Sequence, residues 1–184
     1  MDLTKAIYKR RSVKKYSKKK PDWRDIVEAI DASRHAPMAG NNFSLKFIII
    51  DDEEKIKKLA SAAQQQFIQN AQYVVVACTN PSRTINAYEE RGKIYCRQQA
   101  GAAIQNFLLK LEERKLATCW VGHFVEKLIK EAVGVPEDID VEAIFPIGYE
   151  QGKTPKKSKT ELRNILYFNK YGKKGMITPR QLEV

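Results

Sequence analysis

Ala100, Ala103, Ile104, Phe107, Leu108 and Leu111 fall at i, i+3, i+4, i+7, i+8 and i+11. That spacing places six small or apolar side chains on one broad stripe of an α-helix. Most of the stability of such a helix comes from whatever covers its apolar face, so the remainder of the chain must supply that cover. The early part of the stripe, Gly101-Ala102-Ala103, is nearly all small, as a helix packed closely against another requires.

The cover is legible as alternating helices and strands. Leu3, Ile7 and Tyr8 sit at helical spacing. Asp22 reads as the N-cap of a helix carrying Trp23, Ile26, Val27 and Ile30, with Asp25 at the third position. It should end near His35, because Pro37 disfavours helix in the residue before it. A second capped helix is expected from Asp51, with Glu54 three residues on and Ile56, Leu59, Ala60 and Ala63 along one face. It gives way at Gln64-Gln65-Gln66. A third carries Leu128, Ile129, Ala132 and Val133 and stops at Gly134, with Pro136 beyond. Strands are expected over 46–50, 73–78, 117–121 and 142–148, where β-branched and aromatic residues run between turn signals. The polar stretch 80–98 is poorly periodic and reads as a helix or a lid. The segment 162–168, with Leu162, Ile165, Leu166, Tyr167 and Phe168, is too apolar for a free tail and must cover something.

A length of 184 residues fits a single domain, 1–184, large enough to bury a core without disulfides. No apolar run approaches the roughly 18 residues of a membrane span, and no secretory signal is visible, so the cytoplasm is the expected location. For the same reason Asn42-Phe43-Ser44, a glycosylation acceptor in pattern, should stay unmodified. Cys78, Cys96 and Cys119 are odd in number and lack a C-x-x-C, which indicates neither a disulfide framework nor a zinc site. His35 and His123 have no ligand-spaced partners, so no metal is expected. The formal net charge of +11 favours an anionic partner, either nucleic acid or an anionic cofactor. No recognisable nucleic-acid-binding motif accompanies it, which leaves that partner the remote alternative. Nucleotide-binding fingerprints of the G-x-G-x-x-G and G-x-x-x-x-G-K-[ST] kinds are missing, as is a G-x-S-x-G elbow.

Arg10-Arg11-Ser12-Val13-Lys14-Lys15-Tyr16 gathers two guanidiniums, a hydroxyl and ammonium groups where a short helix should end. Arg offers a planar fork that matches phosphate oxygens, Ser a short donor, and Lys a mobile point charge. The segment suits a phosphate, although a solvated basic face would have the same composition.

Four motifs, in order along almost the whole chain, resemble the FMN-dependent nitroreductase family. Arg10 to Tyr16 is similar to the family's opening R-R-S-x-R/K-x-F/Y. Ala36-Pro37-Met38-Ala39-Gly40-Asn41 is similar to its A-P-S-A-x-N loop. Ile104-Gln105-Asn106-Phe107-Leu108-Leu109, followed by Ala117-Thr118-Cys119-Trp120-Val121-Gly122, is similar to its Q-N-L-L-L helix and G-T-C-W-I-G strand. Phe145-Pro146-Ile147-Gly148-Tyr149, with Pro155 and Lys157-Ser158-Lys159, is similar to its P-x-G-Y strand end and basic phosphate contact.

The resemblance implies an α+β fold with a central, mainly antiparallel sheet flanked by helices. It also implies an intertwined homodimer, with a C-terminal arm at about 160–184 wrapping the partner, and FMN in the interface. By matching position, Arg10, Arg11 and Ser12, helped by Lys157 and Lys159, would hold the phosphate and ribityl region. Lys14 would lie near the flavin pyrimidine, where a cation favours the reduced anionic ring. Gln64 or Gln65 would bond the pyrimidine edge, and the backbone of Gly122 and His123 would face N5 and O4. Pro37, Met38, Ala39 and Asn41 of the partner would cover the ring, with Gln99 nearby. The family's usual x-Q-P-W/H after the matched Asn is replaced here by Asn42-Phe43-Ser44-Leu45. His123 stands where Gly is common, so Phe43 and His123 are expected to border the substrate. The implied activity is hydride transfer from NADH or NADPH to a small acceptor, such as a nitroaromatic or quinone, in a ping-pong cycle. The alternatives are another flavin reaction, such as reductive dehalogenation, or flavin binding without turnover.

Overall fold

The computed structural model describes residues 1–175. The chain separates into two compact units, Met1–Thr154 and Pro155–Val184. The expected arm at about 160–184 falls in the second unit, and its last nine positions, 176–184, lie outside the described residues.

The first unit is built on a four-stranded antiparallel sheet: β1 (Leu45–Ile50), β2 (Tyr73–Thr79), β3 (Ala117–Thr118) and β4 (Asp140–Gly148), in the spatial order β1-β2-β4-β3. Six helices surround it: α1 (Leu3–Lys9), α2 (Trp23–Ser33), α3 (Glu53–Ala62), α4 (Ser82–Tyr88), α5 (Glu90–Glu113) and α6 (Glu126–Val133). On one face Val75, Ala77, Phe145 and Ile147 pack with Ile26 of α2 and Ile104, Phe107 and Leu111 of α5. On the other, Val74, Val76, Cys78 and Ile144 pack with Ile56 and Leu59 of α3 and Ile129 of α6. Every residue of β2 is therefore buried, which explains its unbroken apolar run. The stripe on α5 is buried as its spacing requires, and Ala103, one of the small residues, is consumed by the chain's own core.

Several boundaries differ from expectation, each for a physical reason. Asp52, not Asp51, caps α3 by accepting from the Lys55 amide at 2.9 Å, while Asp51 pairs with Lys20 at 3.1 Å. The strand expected over 117–121 is regular only at Ala117–Thr118, and Val121 rejoins β4 as a lone bridge to Ile144. The register is continuous across the gap, and it sets Cys119 opposite Pro146, which has no amide hydrogen to give. The Pro146 carbonyl instead accepts from the Tyr16 hydroxyl at 3.2 Å. Residues 80–98 form α4 and the first turns of α5, joined at Glu89, whose φ of 52° and ψ of −133° break the helix. Their buried side is Thr84, Gly92, Cys96 and Gln99, too small and polar to show an apolar period.

In the second unit a single helical turn, Leu162–Asn164, is followed by Tyr167 and Tyr171 with ring centroids 4.7 Å apart. Leu162 and Ile165 are about two-thirds exposed, at 68% and 67%. Among the described residues nothing covers Leu162 and Ile165.

Candidate functional site

The basic segment is fixed by backbone pairing. After α1 the chain turns extended at Arg10, and the Val13 amide donates to the Thr118 carbonyl at 2.9 Å. Ser12 bridges Thr118 in parallel, and Tyr16 bridges Glu150 antiparallel. Val13 and Tyr16 point into a small cluster with Ala71 and Ala117, so the alternation of an extended chain leaves Ser12 and Lys14 exposed. Among the described residues, the side chains of Arg10 and Ser12 have no hydrogen-bond or ion-pair partner, and Lys14 meets only the Phe67 ring, at 5.0 Å. Arg11 differs. It donates to the Thr154 carbonyl at 2.7 Å and lies 3.9 Å from Glu150. Hydrogen bonds from Thr154, with Arg11 adding to them, hold the Glu150 carboxyl below the usual range. Burial pushes the nearby Glu112 carboxyl the other way, against the pull of Arg11, Lys9 and Arg10.

The same corner collects two more expected elements. Phe67 belongs to a short 3-10 turn, Gln66–Asn70, that follows directly on Gln64 and Gln65. Gln64 has a φ of 52°, which turns the chain at this point and leaves its side chain exposed. Past Val121, the Val125 amide donates to the Ala62 carbonyl at 2.9 Å, bringing the loop with Gly122 and His123 to the end of α3. Gly122 and His123 are exposed. A Cβ on Gly122 would meet only the Trp120 indole, at 3.6 Å, an ordinary contact. Among the described residues nothing in the packing demands glycine there, whereas a planar group laid against that backbone would. Uncommitted cations, a short hydroxyl donor, an amide side chain and an open glycine backbone together form a donor set that fits FMN.

The remaining expected residues form a second group elsewhere. Gln99, buried on α5, accepts from the Ala39 amide at 3.2 Å and donates to the Ser44 hydroxyl at 2.6 Å, which pins the loop of Pro37, Met38, Ala39 and Asn41. Gly40 and Asn41 both have positive φ, the second tolerated because Asn accepts the left-handed region. Phe43 and Met38 are partly buried against the core, so Phe43 is in part a packing residue. The Asn42 side chain donates to the Thr84 hydroxyl at 3.3 Å, placing α4 beside the loop. Pro37, Met38, Ala39, Tyr95, Gln98, Gln99 and Ala102 line a pocket here.

The two groups do not meet within one chain. They lie past the two outer strands and at opposite ends of the sheet: Leu45 pairs with Thr79 and, through it, Asp140, while Thr118 pairs with Ile147. Three strand spacings and seven residues along β4 put these corners about 27 Å apart, at about 4.8 Å per spacing and 3.3 Å per residue. Lys157 and Lys159 belong to the second unit and are exposed. Tyr88, Arg91 and Tyr95 belong to the stretch 80–98, which the sequence marks as a segment without singling out these three: the Tyr88 hydroxyl would lie 2.9 Å from a Cβ on Gly40, Tyr95 lines the pocket, and Arg91 lies 5.7 Å from the Tyr95 ring centre.

The Nitroreductase family model matches residues 7–73 and 61–149, which span both groups. The chain belongs to this family. An Archaeoglobus fulgidus protein named as a candidate NADH dehydrogenase/NAD(P)H nitroreductase is 31% identical over 153 residues, covering 80% of this chain and 85% of its own length. An iodotyrosine deiodinase of Thermotoga neapolitana is 23% identical over 186 residues, covering 92% and 97%. Among solved structures, an FMN-dependent nitroreductase from Clostridium difficile R20291 shares the fold, with a TM-score of 0.78 at 22% identity over 91% of this chain and 99% of that one. The antiparallel sheet with its flanking helices is the nitroreductase α+β fold, and the chain is an oxidoreductase of that family. Among the described residues, no helix is long and apolar enough to cross a membrane.

Proposed function

We propose that the chain is an FMN-dependent oxidoreductase that takes hydride from NADH or NADPH and delivers it to a small acceptor, a nitroaromatic or a quinone, at a site shared between two copies. Arg10, Ser12 and Lys14 hold the phosphate and the pyrimidine side. Gln64 or Gln65 bonds the ring edge, and Gly122 and His123 lie along the ring. The loop of Pro37, Met38, Ala39 and Asn41 from the partner, with Gln99 behind it, closes the other side. The observation that carries this reading is the separation of the two groups. Each is well formed, and the sheet corners beside them, at Leu45 and Thr118, are about 27 Å apart by strand spacing and register.

Bound FMN supplies a centre that accepts a hydride from one substrate and gives it to the next. The protein's part is to orient and to exclude. Lys14 places a cation beside the pyrimidine. The loop from Pro37 to Asn41 would wall a slot that donor and acceptor occupy in turn, orienting each toward the bound cofactor. For a nitroarene the balance is NAD(P)H plus one proton plus the nitro compound, giving NAD(P)⁺, the nitroso compound and water.

Rapid mixing of the FMN-loaded protein with excess NADH, and separately with NADPH, without oxygen tests the reading. Loss of the oxidised flavin absorbance with either donor is expected, followed by its return when a nitroarene is added. Unchanged absorbance with both donors would refute it. The full-length match to an iodotyrosine deiodinase motivates a second reading, reductive dehalogenation. Release of iodide from an iodophenol under reducing conditions, faster than nitroarene reduction, would select it.

A further inference from the structure

We infer that the acceptor pocket is built for an aromatic molecule bearing an anionic substituent, and that Arg91 is the residue that reads the anion. The inference deepens the proposed function and rests on it for the chemistry, though not for the binding. Arg91, Tyr95, Gln98, Gln99 and Ala102 fall at i, i+4, i+7, i+8 and i+11 on α5, one continuous stripe. The last four line the pocket beside Pro37, Met38 and Ala39. Arg91 is the next residue along the stripe. Its guanidinium lies 5.7 Å from the centre of the Tyr95 ring, and Tyr95 in turn meets Tyr88 edge-on at 5.2 Å.

The contact matters because a cation drawn to a ring face restricts a long side chain before a ligand arrives. Arg91 is exposed, and among the described residues no carboxylate lies within ion-pair distance of it. Arg24, Arg34, Arg114 and Arg163 each reach an acid, whereas the exposed Arg83 and Arg97, like Arg91, do not; of these three, among the described residues, Arg91 alone lies over an aromatic ring. Arg91 thus lies within cation-π range of Tyr95 with its hydrogen-bonding edge unspent, one helical turn along α5 from a slot walled by that tyrosine and by Pro37 and Met38. A guanidinium stacked on an aromatic face keeps its in-plane N–H donors available, and those donors match the two oxygens of a carboxylate. The slot accepts the ring, and the fork accepts the charge.

The test pairs 4-nitrobenzoate with 4-nitrobenzamide, which share shape and nitro group and differ in charge. Binding of each to the FMN-loaded protein is measured by calorimetry, and kcat/KM for each is measured with a saturating nicotinamide donor. The wild type should favour the carboxylate about tenfold in both, the scale of one partly exposed charge-assisted contact. Arg91→Gln should erase that preference while leaving the amide unchanged, and Arg91→Lys should restore only part of it, since Lys lacks the fork. Equal binding of the two ligands by the wild type, or an unaltered preference in Arg91→Gln, would overturn the inference. Preferential binding without turnover of either would uphold the inference and refute the enzymatic reading, so the two failures are distinguishable.

Discussion

The Val13 amide donates to the Thr118 carbonyl at 2.9 Å, and through that bond the basic segment lies along β3 with Arg10 and Ser12 uncommitted. On the proposed reading Arg10 serves the ligand and not the fold. Arg10→Ala should weaken FMN binding by about 1.5–3 kcal/mol, the range for a charge-assisted hydrogen bond, which is roughly 10- to 150-fold in Kd. Its melting temperature without FMN should match the wild type. Fluorescence titration of FMN reads the first quantity, and an unchanged Kd would remove Arg10 from the site.

Gly122 separates ligand from fold in the same way. A Cβ there meets only the Trp120 side chain at 3.6 Å, so Gly122→Ala should fold with unaltered stability. If the ring lies against this backbone, the added methyl overfills the contact at a cost of about 1–3 kcal/mol to FMN affinity. Gly92→Ala is the opposite case. Its Cβ would come within 2.5 Å of the Thr84 carbonyl oxygen and 2.6 Å of the Ile85 Cα, both backbone. It should lower the stability of the FMN-free protein by about 1–3 kcal/mol. Equal melting temperatures for the two variants would contradict both assignments.

Glu150 and Glu112 should respond to pH with opposite signs. The Glu150 carboxyl is held low, chiefly by hydrogen bonds from Thr154 and also by Arg11, so the unfolded chain binds its proton more readily. Its stabilisation is present above the unfolded value, near pH 4.5, and is lost as pH falls through the lower folded value. Glu112 is raised by burial, so the native state binds its proton more readily, and stability falls as pH climbs from near 4.5 through the higher folded value. Denaturant melts across that range should show Glu150→Gln less stable than the wild type at neutral pH, and Glu112→Gln more stable. Shifts of the same sign would show that one of the two environments is misassigned.

How much of this was readable from sequence depended on whether a residue's neighbours are local. The stripe on α5, the Asp22 cap and the Gly134 stop are local signals, and the structure has them: Asp22 accepts from the Arg24 amide, and Gly134 has a φ of 73°. The break in β3 was invisible because its cause, Pro146, lies on another strand. The first turns of α5 were obscured because they bury Gly92, Cys96 and Gln99 in place of aliphatic residues. The site was legible as a set of family motifs. The expectation that the site is divided between two copies comes with the family resemblance and not with any residue pattern. The separation of Arg10 from Gln99 follows from strand order, which no short motif encodes.

That division leads to the last prediction. Leu162 and Ile165 are about two-thirds exposed, and Leu166 is 39% exposed. Burying each such side chain is worth about 1.5–3 kcal/mol, so an uncovered set is costly in water. A second copy would meet two needs together: it would cover the apolar segment, and it would bring the loop of Pro37 to Asn41 onto the other copy's Arg10 corner. The full chain should therefore sediment as a dimer carrying FMN. Truncation before Leu162 should cost both dimer and cofactor, while circular dichroism shows the first unit still folded. In case the truncation disrupts folding, Leu162→Asp with Ile165→Asp in the full chain asks the same question, since both positions are exposed and no core packing is lost. A wild-type monomer that retains FMN, or a double variant that remains a loaded dimer, would show that the site does not need the partner.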